Sequence, residues 1–206
     1  MAKTEHYYTQ FEAGHFYHIY NRTVDKQPMF KNDGNYEFFL TRYGEYLSPV
    51  IDTYAYCLLG NHFHLLIRVK EDLEVQSSGD RNVVHDKVSH QFQKFFQSYA
   101  LAFNKQQDRV GTLFQTPFKR AMVTDDTYLI QLVYYIHDNP QQHGLIDNFR
   151  EWKWSSYKSM LSDKLSRLKK QEVLNWFGGK DAYQTYHHQL HKYLADRKFD
   201  ESLIEH

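Results

Sequence analysis

The stretch YCLLGNHFHLLIRV, Tyr56 to Val69, reads as two β-strands folded back on each other. Gly60-Asn61 supplies the tight turn, and the flanking segments DTYAYCLLG and HFHLLIRVK carry the apolar residues of paired strands. Side chains along a strand alternate between its faces. His62, His64, Leu66 and Arg68 therefore share one face, while Phe63, Leu65, Ile67 and Val69 share the other and read as core. Adjacent same-face positions lie roughly 6–7 Å apart, on a rise of ~3.3 Å per residue, so two imidazoles placed there can converge on one ion. The plainer reading is two satisfied histidines at a sheet surface, because His-x-His arises by chance in a chain with 13 histidines. A cation site needs a third ligand and open positions for substrate.

Outward from this hairpin, HFYHIYNRTV (His15 to Val24) alternates as a first strand. NDGNYEFFLTRYGEYLSPV follows as a helix, with Tyr36, Phe39, Leu40, Tyr43 and Leu47 near helical spacing and Pro49 beyond its end. After the hairpin, the polar segment Glu71 to Asp86 reads as a loop, and KVSHQFQKFFQSYALAFNKQ as a long helix. GTLFQTPFKRAMVT supplies a fourth strand ending near Val123; DDTYLIQLVYYIHDNP is a helix opened by acidic residues and closed by Pro140. The order β-α-β-β-α-β-α predicts an α+β fold, a ferredoxin-like antiparallel sheet with helices packed on one face. Residues 10–146 form the domain, and 147–206 are its C-terminal helical extension.

Composition bounds the function. With 206 residues, 41% hydrophobic and 24% charged, the chain can bury one core and carry a solvated surface. No apolar run reaches the ~18–20 residues that cross a bilayer, and MAKTEHYYTQFEAG lacks the apolar core of a secretory signal. One cysteine, Cys57, excludes an internal disulfide and a cysteine-based zinc cluster, so a reducing cytoplasm is the expected location. Net charge is zero, from 25 basic and 25 acidic residues, which disfavours non-specific coating of duplex DNA. Between Arg150 and Lys170, however, seven basic residues face two acidic ones, an excess that suits a phosphate backbone or simply a solvated helix face. Aromatic residues make up 17%, enough to stack unpaired bases as well as fill a core.

The helix from Thr127 to Asn139 has a core stripe with polar borders. At about 100° per residue, Tyr128, Leu129, Leu132, Val133 and Ile136 form its core stripe. Tyr135 and Asn139, one turn apart, sit together at one border of that stripe, where a functional group can reach a cleft. Tyr134 falls opposite the stripe and is expected to face solvent, and His137 lies beyond the other border. As plain structure, Tyr135 is a boundary aromatic and Asn139 a helix cap before Pro140.

Taken together, GNHFHLLI, GTLFQTPFKRAMVTDDTYL, and YYIHDNPQQHGLI followed by WKWSSYKSM resemble the single-tyrosine HUH transposases. Within that family the chain is most similar to the REP-associated tyrosine transposases, with YHIYNRTVDKQPMF and VLNWFGGKDAYQTYHHQ also matching in order. The resemblance implies a ferredoxin-like nuclease that cuts single-stranded DNA, usually beside a hairpin. His62 and His64 match its two metal-binding histidines, Tyr135 its nucleophile, and Asn139 the polar residue that completes the metal site. The implied cofactor is Mg²⁺ or Mn²⁺; imidazole ligands suit the softer Mn²⁺ better. Strand recognition is expected from Asn21 and Arg22, from Lys119 and Arg120, and from the basic stretch beginning at Lys153. The expected partners are single-stranded or hairpin DNA, with no membrane, and the protein acts as a monomer or homodimer.

Three rival readings stay open: a metal phosphoesterase that activates water and keeps Tyr135 structural, a non-catalytic hairpin-binding relative of a transposase, and a replication or relaxation initiator. In the tail, His187 and His191 of HHQLH stand one helical turn apart, as in a zinc site, although an exposed polar helix is the default.

Overall fold

The computed structural model describes residues 9–73 and 81–195. Four antiparallel strands, β1 (Phe16–Arg22), β2 (Ile51–Leu58), β3 (His62–Val69) and β4 (Lys119–Val123), lie in the order β2-β3-β1-β4. Helix α1 (Asp33–Leu47) joins β1 to β2, and α2 (Arg81–Gln106) joins β3 to β4. This is the ferredoxin-like arrangement expected, in an α+β fold. The hairpin turn falls at Gly60-Asn61, closed by the Leu59 amide donating to the His62 carbonyl at 2.8 Å.

Helices cover both faces of the sheet, not one. Tyr17, Ile19, Phe63, Leu65 and Ile67 pack with Phe39 of α1 and Phe92 and Phe95 of α2. On the reverse face, Leu66 and Cys57 pack with Leu132, Val133 and Ile136 of α3 (Asp126–Gln142), backed by Phe149 and Tyr183. β3 explains the difference. Leu65 and Leu66 are adjacent and both buried, and a strand buried on both faces reads as a nearly continuous apolar run rather than an alternating one.

Two helix boundaries also depart from the sequence reading. α2 begins at Arg81, inside the segment read as loop. α3 runs through Pro140 to Gln142. Proline forfeits one helical hydrogen bond, and the helix instead ends at His143, where Gly144 adopts φ 65° and the His143 amide donates to the Asn139 carbonyl at 2.9 Å.

The tail continues as a 3₁₀ turn (Phe149–Glu151) and helices α4 (Tyr157–Leu161), α5 (Lys170–Phe177) and α6 (Lys180–Ala195). It is tied to the outer strand. The Leu58 amide donates to the Trp154 carbonyl, the Ser156 amide to the Tyr56 carbonyl, and the Trp152 indole to the Leu58 carbonyl, each at 2.9 Å. These bonds cover an edge that would otherwise present unpaired backbone groups. Among the described residues no helix is long and apolar enough to cross a membrane.

Candidate active site

Strand register gathers the site. Residues directly opposite in an antiparallel pair share a face. Arg22 lies opposite His62, Tyr20 opposite His64, His18 opposite Leu66, and Lys119 opposite Tyr20. One face therefore carries His18, Tyr20, Arg22, His62, His64 and Lys119, and α3 lies on that side. A cleft of about 90 Å³ opens there, lined by Tyr20, Arg22, His62, His64, Tyr135 and His143 among others. The Tyr135 ring stands edge-on to His64, with ring centres 5.6 Å apart. His62 and His64 are 5.4 Å apart by the same measure.

Each histidine of the pair commits Nδ1 to a neighbour. Asn61 donates from Nδ2 to the Lys26 carbonyl at 2.8 Å, which orients its amide and turns Oδ1 toward His62 Nδ1 at 2.7 Å. That oxygen only accepts, so His62 carries its proton on Nδ1 and a lone pair on Nε2. His64 Nδ1 lies 3.0 Å from His18 Nε2. Burial, and then His143 and Arg22, pull the His62 pKa down to about 3; burial and then His18 hold His64 well below its ordinary value. Both imidazoles are neutral at physiological pH, the state a metal ligand requires. Nε2 of each has no protein partner among the described residues. This donor pair fits one side of a divalent cation's shell. No three His, Cys, Asp or Glu side chains group to hold a metal among the described residues, so the remaining positions fall to an amide, substrate or water.

Asn139 is buried one turn from Tyr135, and its Nδ2 donates to the Tyr135 carbonyl at 2.7 Å. It does not line the cleft; His143, one further turn along, does, with its ring 4.8 Å from that of His62. The sequence reading missed His143. Its signal was the four-residue spacing Tyr135, Asn139, His143, hidden because the helix was ended at Pro140.

The expected DNA contacts divide. Arg22 and Lys119 line the cleft, and the Lys119 ammonium lies 5.1 Å from the centre of the Tyr20 ring. Asn21 is at its margin, with Nδ2 donating to the Gln115 carbonyl and Oδ1 accepting from the Arg22 amide. Arg120 is turned away. Neighbours in a strand point to opposite faces, and Arg120 is buried between the Phe11 and Phe118 rings, donating from Nε to the Thr9 carbonyl. Lys153 is outside the cleft, paired with Asp33 at 2.6 Å. The basic stretch beyond it is largely occupied: Lys169 faces Asp52 and Glu172, and Lys170 donates to the Ser162 and Lys164 carbonyls.

Tyr134 is buried against Phe149 and His187, not solvated. The tail covers the helix face that amphipathic spacing assigns to water. His137 and His187 are likewise buried in one network. His187 Nδ1 donates to the Tyr183 carbonyl at 2.8 Å, so its Nε2 accepts from His137 Nδ1 at 3.1 Å. His137 Nε2 then accepts from Ser156 Oγ at 2.7 Å. His187 is thus a structural residue; the side chain of His191 is outside the described residues.

This network predicts a pH dependence. Burial lowers the His187 pKa to about 4 and holds His137 below its usual value. The unfolded chain takes up these protons near pH 6.5, so stability is fully present above that pH and falls as pH drops toward the folded values. Each histidine contributes a slope of about 1.4 kcal/mol per pH unit. Thermal melts should show the midpoint falling steadily between pH 6.5 and 4.5; a flat profile would contradict the neutral network.

Comparison with known proteins comes down on the side of the sequence resemblance. No family model matches the chain. A Haemophilus influenzae protein, provisionally assigned as a REP-associated tyrosine transposase, is 29% identical over 108 residues. The match spans 52% of this chain and 58% of that relative's length. The resemblance is borne out. A solved REP-associated tyrosine transposase bound to a REP hairpin superposes with a TM-score of 0.56 at 14% identity, covering 77% of this chain and 86% of that one. At that identity the likeness establishes a shared fold.

Proposed function

We propose that the protein is a single-tyrosine HUH transposase-like nuclease that cuts and rejoins single-stranded DNA through a 5′-phosphotyrosine. The observation that carries this reading is one cleft shared by a half-buried tyrosine, two neutral histidines and two cationic side chains. In the step proposed, the Tyr135 hydroxyl loses its proton and forms a bond to phosphorus. The bond from phosphorus to the 3′ oxygen breaks, and that oxygen takes up a proton. Attack by a 3′-OH on the phosphotyrosine reverses the step without ATP. Arg22 and Lys119 hold the phosphate, and the packing of α3 on the sheet holds the phenol against His64. His62 and His64 would hold Mg²⁺ or Mn²⁺, which when bound withdraws charge from the scissile phosphate; the buried Asn139 amide donates to the Tyr135 carbonyl and lies off the cleft.

The test is denaturing electrophoresis after incubation with labelled single-stranded hairpin DNA and Mn²⁺. A protein–DNA adduct that survives denaturation supports the reading. Metal-dependent cleavage with no adduct makes water the nucleophile and the protein a phosphoesterase. Binding without cleavage makes it a hairpin-binding module.

Selectivity follows from charge. With no net charge and two cations in the cleft, the protein offers little for duplex backbone in general. Hairpin and single-stranded DNA should outcompete random duplex at physiological salt in a fluorescence-anisotropy titration. Equal affinities would count against the proposal.

A further inference from the structure

His62 and His64 are oriented by different devices. For His62 the device is legible: the Asn61 amide, locked by the Lys26 carbonyl, accepts the Nδ1 proton and leaves Nε2 bare. Among the described residues, His64 has no carbonyl or carboxylate at that position. Its Nδ1 meets the Nε2 of His18, across 3.0 Å of nitrogen-to-nitrogen hydrogen bond. One proton lies between the two ring nitrogens there, and its place decides what His64 can do. On His64 Nδ1, it leaves Nε2 with a lone pair. On His18 Nε2, it forces the other His64 proton onto Nε2, and the residue becomes a donor that cannot bind a cation.

We propose that His18 is the positioning residue for His64, accepting the Nδ1 proton and so holding the Nε2 lone pair available for a divalent cation. The inference rests on the metal-site reading above, and it assigns a role to a residue that motif spacing does not single out. Placement supports it. His18 sits on the central strand β1, diagonal to His64 in the register, and is only 4% exposed. Its ring is nearly parallel to those of His64, at 5.2 Å, and Tyr20, at 4.8 Å, and lies edge-on to Tyr135 at 6.1 Å. A ring clamped on these sides cannot swing away, so the nitrogen it presents is fixed. Residues that hold a metal-binding histidine by its second nitrogen typically change metal affinity 10–100-fold when removed.

The experiment uses the full chain. Nitrogen-15 histidine spectra of the metal-free wild type should place the proton on His64 Nδ1. His18→Phe keeps a flat ring but removes the acceptor; Mn²⁺ affinity by calorimetry should fall 10–100-fold, with the His64 proton redistributed between both nitrogens. His18→Gln, whose amide oxygen can reach the same point, should recover most of the affinity. Hairpin DNA binding without metal should be unchanged in both variants. A wild-type proton on His64 Nε2 overturns the proposal, as does Mn²⁺ affinity within twofold of wild type in His18→Phe. If His18→Phe does not fold, the wild-type spectrum and the His18→Gln titration decide. Should wild type bind no Mn²⁺, the metal-site reading fails, while the spectrum still decides whether His18 sets the tautomer.

Discussion

Tyr135→Phe is expected to abolish any covalent protein–DNA adduct, a loss of at least about 10⁴-fold, the scale on which deleting a nucleophile acts in covalent enzymes. The phenol of Tyr135 lines the cleft beside His62 and His64, with its ring edge-on to His64 at 5.6 Å. Phenylalanine keeps the ring and its packing and removes only the hydroxyl proposed to attack, so folding and hairpin binding should persist. Tyr134→Phe is the control, and the structure changes what it controls for. Tyr134 is buried on the far side of α3, where its hydroxyl meets Asp138. Losing that hydroxyl should cost about 1 kcal/mol of stability and leave the adduct intact. Gel analysis of the two variants, alongside thermal melts, reads both effects. An adduct that disappears in Tyr134→Phe but forms normally in Tyr135→Phe would make Tyr134 the nucleophile and overturn the assignment to Tyr135.

The contrast between these two tyrosines shows what the sequence could reveal. The period of two in HFHLLIRV placed His62 and His64 on one face, and the period of 3.6 placed Tyr135 at a helix border; both follow from local geometry. Tyr134 failed because its environment is made by residues well beyond it in sequence, Phe149 and His187, which spacing within one helix cannot report. The expectation of helices on one face failed differently: the adjacent buried Leu65 and Leu66 of β3 mark a strand covered on both sides, by α1 and α2 on one and by α3 and the tail on the other. Arg120 is a different case. Lys119 and Arg120 are adjacent in a strand, so the alternation applied to the histidines already forbade both from facing one cleft. Pro140 misled by being treated as a stop, although a helix tolerates the one bond it lacks; that choice hid His143.

His62→Ala and His64→Ala should each abolish cation-dependent cleavage, yet they should differ in stability. Removing a direct ligand ought to weaken Mn²⁺ binding by more than about 100-fold, beyond the range seen when only a supporting residue is lost. His62 is half-buried and bonded to the turn residue Asn61, so its truncation leaves a solvent-filled notch at the cleft. A stability change within about 0.5–1 kcal/mol is expected, as for surface substitutions and modest hydrogen-bond losses. His64 is 6% exposed and bonded to buried His18. Its truncation leaves a void and an imidazole nitrogen without its partner, together costing about 1–3 kcal/mol. Calorimetric Mn²⁺ titration, thermal melts and cleavage assays on the same preparations separate the two effects. His62→Ala is the cleaner test, because loss of cleavage at an unchanged melting temperature cannot be blamed on unfolding. Wild-type cleavage by either variant would remove the pair from the metal site, and leave Arg22 and Lys119 as the charges that act on the phosphate.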